Sequence, residues 1–335
     1  MLRISDDMEK NRIRCGELFS RIMSADEAAL LIQNHMTVAV SGFTPSGCPK
    51  VVPTALAGQV RSGKRKLRLT LLTGASTGEE LDSQWASLGM IERRLAYMTS
   101  KELRNAVNGG GPEPVAYSDI HIGMVAQNAR YGFYGKIDVA VIEAAAITEE
   151  GNLIPTTAVG CSQTFIDLAE KVIIEVNLKQ PEALEGFHDI VRLQDPPHRE
   201  PIPLTHPGQR IGRPWLECPR EKIAAIVISE APEHPRALAP EDDVSRQIAA
   251  NIISFLEKES LEVLSACRRL TAPPKTDAPA SSSVDAYARQ AGGNVVVAAQ
   301  DAGPVRDALG ERRVMGREDQ GLSSGLELAQ EGGQP

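Results

Sequence analysis

Aromatic residues are scarce in this chain, at 4% of 335 positions, and basic residues are outnumbered, 36 Lys and Arg against 44 Asp and Glu, for a net charge of -8. A nucleic-acid surface needs basic patches and rings that stack on bases, so that class is excluded. Cysteine is sparse too. Cys15, Cys48, Cys161, Cys218 and Cys267 are an odd, scattered set with no CxxC pair, which argues for reduced thiols and against a disulfide framework or a zinc knuckle. The six histidines show no HExxH or comparable spacing, so no metal site is expected. No apolar run approaches the length of a membrane span, and the start, MLRISDDMEKNRIRCGELFS, is charged throughout with no apolar leader core. These absences predict a cytoplasmic protein with no permanently bound cofactor, no nucleic acid and no membrane among its partners.

Two nucleotide-binding signatures are also missing. G-x-G-x-x-G follows neither Val40 nor Leu72, and G-x-x-x-x-G-K-[ST] occurs nowhere, which excludes the nicotinamide and nucleoside triphosphate readings.

What is present is alternation. Ser24 to Glu27 fits a capping box, and Ala28 to Ile32 has the apolar density of a core-facing helix. Val38 to Val40 reads as a strand, Gly42 to Pro49 as a tight loop, and the segment through Val52, Leu56 and Val60 as a helix. Leu67 to Leu72 is a second strand, running into the small-residue loop Thr73 to Gly78. A helix is predicted over Ser100 to Asn108, stopped by three glycines. Val139 to Ile147 and Lys171 to Val176 are apolar except at Glu143 and Glu175, and Ile223 to Ile228 is wholly apolar. Such runs mark strands covered on both faces of a parallel sheet. Thr148 to Asn152 predicts a hairpin into Leu153 to Pro155, and Asp243 to Glu259 a long helix with Ile248, Ile252, Phe255 and Leu256 on one side. The fold class expected is α/β, an open, mostly parallel sheet with flanking helices.

Beyond Glu259 the composition changes. Thr271 to Ser283 is rich in Pro, Ala and Ser, and Val295 to Ala299 is the one concentrated apolar run that follows. Residues 1–11 are expected to be an extension, 12–260 the α/β domain, and 261–335 a largely disordered tail with a short helix around Val305 to Leu309.

Three glycine-bearing loops, Gly42 to Pro49, Gly74 to Gly78 and Val159 to Ser162, are expected to converge at the carboxyl ends of neighbouring strands, where hydroxyl and amide donors suit a carboxylate or a thioester carbonyl. Glu143 and Glu175 read either as general bases with raised pKa or, more commonly, as structural partners of a cation or of backbone amides. Cys161, before a helix start, reads as an activated thiol or, more commonly, as a buried core cysteine. His188 reads as a substrate contact or, more commonly, a hydrogen-bonded structural residue.

The segments SGFTPSGCPKVVPTALA, LLTGASTGEELD, VIEAAAITEEGNLIPTTAVG, SQTFIDLAEKVIIEVN, LEGFHDI and IGRPWLECPREKIAAIV resemble the acetyl-CoA hydrolase and acetate CoA-transferase family, of the succinyl-CoA:acetate or butyryl-CoA:acetate CoA-transferase type, from about Arg12 to about Glu259. The resemblance implies two CoA-transferase-type α/β domains with the site at their junction. The implied substrates are an acyl-CoA, the coenzyme A thioester, and a short-chain carboxylate such as acetate. In that chemistry a glutamate attacks the thioester, passes through a mixed anhydride to a glutamyl-CoA thioester, and yields CoA to the acceptor carboxylate. Carried over, Gly42, Phe43, Thr44 and Gly47 line the acyl and carboxylate pocket. Gly74, Ser76 and Gly160 complete it, and Arg236 lies where family members can place an arginine near CoA. Cys48 stands where tyrosine is frequent and Cys161 where asparagine is frequent.

The family's nucleophilic glutamate lies in a motif like SEVLQD or TEVMQD after a turn like LQSGVGN, and neither occurs here. None of Glu262, Glu311, Glu318, Glu327 or Glu331 stands in that context, so no catalytic residue is named. The expectation is a chain whose glutamate-bearing domain is missing by truncation or frameshift. Two readings stand side by side: an acyl-CoA:carboxylate CoA-transferase or acetyl-CoA hydrolase, and an inactive remnant or CoA-binding module. The apolar face that a lone half exposes predicts self-association.

Overall fold

The computed structural model describes residues 11–43, 45–206, 208–234 and 239–258. The expectations for the first ten residues, Thr44, Arg236 and everything from Glu259 onward lie outside the described residues. The described residues separate into two units, a large one of 11–200 and 212–234 and a second of 201–211 and 239–258.

The large unit is built on one sheet. In chain order its strands are β1 (Thr37–Val40), β2 (Leu69–Thr73), β3 (Ile91–Leu95), β4 (Ala116–Ser118), β5 (Ile137–Ile147), β6 (Leu153–Pro155), β7 (Ala169–Asn177) and β8 (Ile223–Ser229). Their spatial order is β4-β3-β2-β1-β5-β7-β8, with β6 attached to β5. Every pair along that path is parallel, and only the β5–β6 hairpin is antiparallel. The fold is thus α/β with an open, mostly parallel sheet. From β1 the chain winds outward through β2, β3 and β4, then returns to lay β5 on the other side of β1 and continues through β7 to β8. The order reverses between β1 and β5. In open sheets of this kind the crevice beyond the carboxyl ends at the reversal point is where ligands bind.

Helices cover both faces: α1 (Ala25–Ala29), α2 (Val51–Arg61), α3 (Gln84–Ser87) and α4 (Lys101–Val107), then α5 (Val125–Arg130) and α6 (Ser162–Leu168). Alternation along the strands divides the core in two. Val38, Val40, Val139, Val141 and Ile173 pack with Val52, Leu56, Trp85 and Leu103 on the α1–α4 side. Ala39, Ala140, Ile142, Val172 and Ile174 pack with Val125, Phe165 and Ile166 on the α5–α6 side. Burial on both faces explains why these strands are continuous apolar runs.

Ser24 caps α1 through the complete capping box with Glu27 that the sequence predicts, so the helix begins at Ala25, directly after its cap, and it ends at Ala29, short of Ile32. Ser100 caps α4 by accepting from the Leu103 amide. In β3 the sequence Ile-Glu-Arg-Arg-Leu hides a strand behind its charges: Arg94 is fully buried, with Nε 2.9 Å and Nη2 3.0 Å from the carboxylate oxygens of Asp82. The second unit carries α7 (Asp243–Lys258), on which Val244, Ile248, Ile252 and Phe255 are exposed. No described helix is long and apolar enough to cross a membrane.

Candidate functional site

Ser41, the residue after β1, is buried, donates from Oγ to the Val159 carbonyl at 3.3 Å and accepts from the Cys161 amide at 2.8 Å. The loops after β1 and β6 are therefore joined at their roots. Beyond Ser41 the chain folds into a tight turn closed by Phe43 and Ser46, whose amides and carbonyls exchange bonds of 2.9 and 3.1 Å. Phe43 is left 61% exposed at the rim, and Gly42 packs against Cys48.

Glycine is required where the loops meet. Gly160 has φ +51°, and a Cβ there would run into Ser41 Oγ. A Cβ on Gly47, at φ +63°, would lie 2.6 Å from the Ala158 backbone nitrogen. From the third loop, Gly74 comes so close to Cys161 that a Cβ would stand 2.8 Å from its Sγ. The 42–49, 74–78 and 159–162 loops thus touch one another at the carboxyl ends of the strands beside the β1/β5 reversal. Ser76 sits buried in the third loop, its Oγ 2.7 Å from Thr99 Oγ1 and accepting from the Thr99 amide at 3.0 Å. A cleft of about 550 Å³ opens beside Gly160, lined among others by Arg130, Gln163, Thr164 and His188.

Beneath the loops lies a buried charge cluster that starts from two strand carboxylates. Glu143 on β5 and Glu175 on β7 are neighbours in register. Glu175, fully buried, accepts from the amides of Lys50 at 2.8 Å, Val51 at 3.0 Å and Val52 at 3.2 Å. It caps α2 from a different strand and places negative charge at the helix N-terminus, where orphan amides and the helix dipole favour it. Burial pushes its pKa up, and the three amides pull it back.

Glu143 accepts from Lys50 Nζ at 2.7 Å, Asn177 Nδ2 at 2.8 Å and Thr156 Oγ1 at 2.8 Å. Its side chain is 0% exposed and that of Lys50 4%. Burial pushes the Glu143 carboxyl up to about 7 against the attraction of Lys50. For Lys50 burial acts downward, but the carboxylates of Glu143 and Glu233 outweigh it and hold the ammonium above its ordinary value. Lys50 also donates to the Cys48 carbonyl at 2.9 Å. Glu233, after β8, lies 3.6 Å from Lys50 Nζ and accepts at Oε1 from the Gly47 amide, Thr157 Oγ1 and Gln180 Nε2.

Both strand carboxylates are therefore structural partners, of a cation and of backbone amides. His188 Nε2 lies 2.9 Å from the Thr156 carbonyl. Cys161 is no activated thiol: burial pushes it up to about 11 despite Arg130, and burial pushes Cys48 up to about 12 despite Lys50. Lys50, Glu233, Asn177 and Gln180 were not singled out by sequence reasoning. The available signal was a glutamate inside each of two apolar strands, which demands a partner but does not say which.

Residues 6–232 match the acetyl-CoA hydrolase/transferase N-terminal domain family. The chain belongs to that family. It is 46% identical over 250 residues to a succinyl-CoA:acetate CoA-transferase of Clostridium kluyveri, covering 75% of this chain and 46% of that protein. It is 39% identical over 259 residues to an acetyl-CoA hydrolase of Schizosaccharomyces pombe, covering 74% and 49% respectively. Against a propanoyl-CoA:succinate CoA transferase of Escherichia coli the identity is 37% over 240 residues, covering 71% and 48%. The chain spans about half the length of the curated relatives it matches. Within this CoA-transferase and hydrolase family, the matched region contains all three loops and the charge cluster except Glu233, which lies one residue beyond it.

Proposed function

We propose that this chain provides one wall of a site that moves CoA between a thioester and a short-chain carboxylate such as acetate, or releases it to water. The 42–49, 74–78 and 159–162 loops line the acyl and carboxylate pocket. The observation that carries this reading is the meeting of these loops beside the β1/β5 reversal, in a chain of this family. In this reading Phe43 offers an apolar surface to the acyl group, and Gly42, Gly47, Gly74 and Gly160 let backbone approach the thioester closely, with Ser76 behind them.

A nucleophile must touch its substrate. Glu143 and Glu175 are enclosed and already bonded, so in this reading neither attacks the thioester. That same enclosure favours a second reading, an acyl-CoA-binding module without turnover. Purified protein assayed for acetate-dependent CoA transfer from succinyl-CoA, alongside calorimetric titration with acetyl-CoA, separates the two. Saturable binding is expected in either case. Turnover above buffer rejects the module, binding without turnover rejects the self-sufficient enzyme, and absence of binding overturns both.

A further inference from the structure

Glu233 is an acid of the buried cluster that accepts hydrogen bonds from both the loop after β1 and the loop after β6. Its Oε1 accepts from the Gly47 amide at 3.1 Å, in the loop after β1, and from Thr157 Oγ1 at 3.2 Å, in the loop after β6. Gln180 Nε2, beyond β7, donates to the same oxygen at 2.8 Å, and Lys50 Nζ stands 3.6 Å away. Gly47 and Ala158 are in direct backbone contact, with no room between them for even a methyl group on Gly47, so Glu233 grips the chain on both sides of that contact. Its side chain is 7% exposed, and Oε2 is buried and accepts no hydrogen bond from the described residues. A carboxylate that served packing alone would be an expensive choice here, because a buried, half-satisfied charge costs more than an apolar side chain of the same size.

We propose that Glu233 is a positioning residue that fixes the 42–49 and 157–160 loops against each other and thereby sets the affinity of the site they line for an acyl-CoA. The assignment of the ligand rests on the function proposed above; the spacing role rests on the bonds alone. Glu233 holds the Gly47 amide, Thr157 and Lys50 at one centre, so removing its oxygen frees both loops together while leaving the strands beneath them paired.

The test uses the full chain with Glu233→Ala and Glu233→Gln, read by amide hydrogen exchange and by calorimetry with acetyl-CoA. In Glu233→Ala, amides of 42–48 and 157–161 should exchange about tenfold faster or more, and acetyl-CoA should bind about tenfold more weakly, the loss expected from the hydrogen bonds removed. Peptides from β1 and β5 should not change. Glu233→Gln keeps a carbonyl acceptor and should restore both loops and affinity. Unchanged loop exchange, equal loosening of loops and strands, failure of Gln to rescue, or loosened loops with undiminished affinity would each overturn the proposal. If the parent chain binds no acetyl-CoA, the functional reading falls, and loosening confined to the loops and reversed by Gln still supports the spacing role.

Discussion

Lys50→Met removes the single ammonium from a buried site that holds Glu143 at 2.7 Å and Glu233 at 3.6 Å. Met keeps the length and apolar stem of the side chain, so the loss is chiefly electrostatic. Removing one partner of a buried ion pair costs about 3–5 kcal/mol, because the remaining charge is left uncompensated. Glu143 can escape that cost by taking a proton, which makes the penalty depend on pH. In the parent protein its folded pKa, about 7, lies above the ordinary 4.5. A carboxyl raised in this way contributes stability that is fully present below 4.5 and is lost as pH climbs through 7, a total on the order of 3 kcal/mol. Lys50, also raised, contributes stability that is lost only above its ordinary 10.5, so it does not blur this window.

Without Lys50 the Glu143 carboxyl is pushed higher still, and the loss of stability extends to higher pH. At pH 5.5 the variant should lose only about 1–2 kcal/mol, the worth of the hydrogen bonds to Glu143 and to the Cys48 carbonyl. At pH 8 it should lose the full amount, about 3–5 kcal/mol. Urea unfolding followed by the fluorescence of buried Trp85 measures both. Adding Glu143→Gln, which keeps groups for Asn177 and Thr156, should recover at least half of the loss at pH 8. An equal loss at the two pH values, a loss below about 1 kcal/mol at pH 8, or no recovery in the double variant would refute the account.

Gly160→Ala combines positive φ with a clash against Ser41 Oγ, whereas Gly132→Ala has φ +77° with nothing within 4 Å of the new Cβ. The second should cost about 1 kcal/mol and the first about 2–3, with Cys161 released from Ser41; equal melting shifts for the two would show that the loop contact adds nothing. Asp82→Ala leaves Arg94 charged and fully buried, so thermal and urea unfolding should report a loss of about 3–5 kcal/mol. A loss under about 1 kcal/mol would mean that water reaches Arg94 in the variant.

Much of the sheet was legible because its signals are local. β5, β7 and β8 are apolar runs covered on both faces, the Thr148 to Asn152 turn returns as β6, and Ser24 declares the start of α1 within four residues. β3 was not legible, since its burial depends on Asp82 meeting Arg94 and the local pattern of Glu92, Arg93 and Arg94 is polar. The convergence of the three loops followed from reading each as the end of a strand. The strand order that places them at the reversal did not, because pairing partners are far apart in the chain.

The sequence by itself determined the class of the fold, the family, and the positions at which backbone must turn or approach closely. Strand period, caps and glycine punctuation act over a few residues and need no tertiary context. Tertiary structure alone decided what the buried glutamates are for. Lys50 reaches Glu143 across 93 residues of sequence and the Gly47 amide reaches Glu233 across 186, and only the stacking of β1, β5, β7 and β8 into one sheet brings those groups within hydrogen-bonding distance. A carboxylate in an apolar strand announces that a partner exists; the dry interior, where an unpaired charge is intolerable, makes the identity of that partner a property of the folded chain.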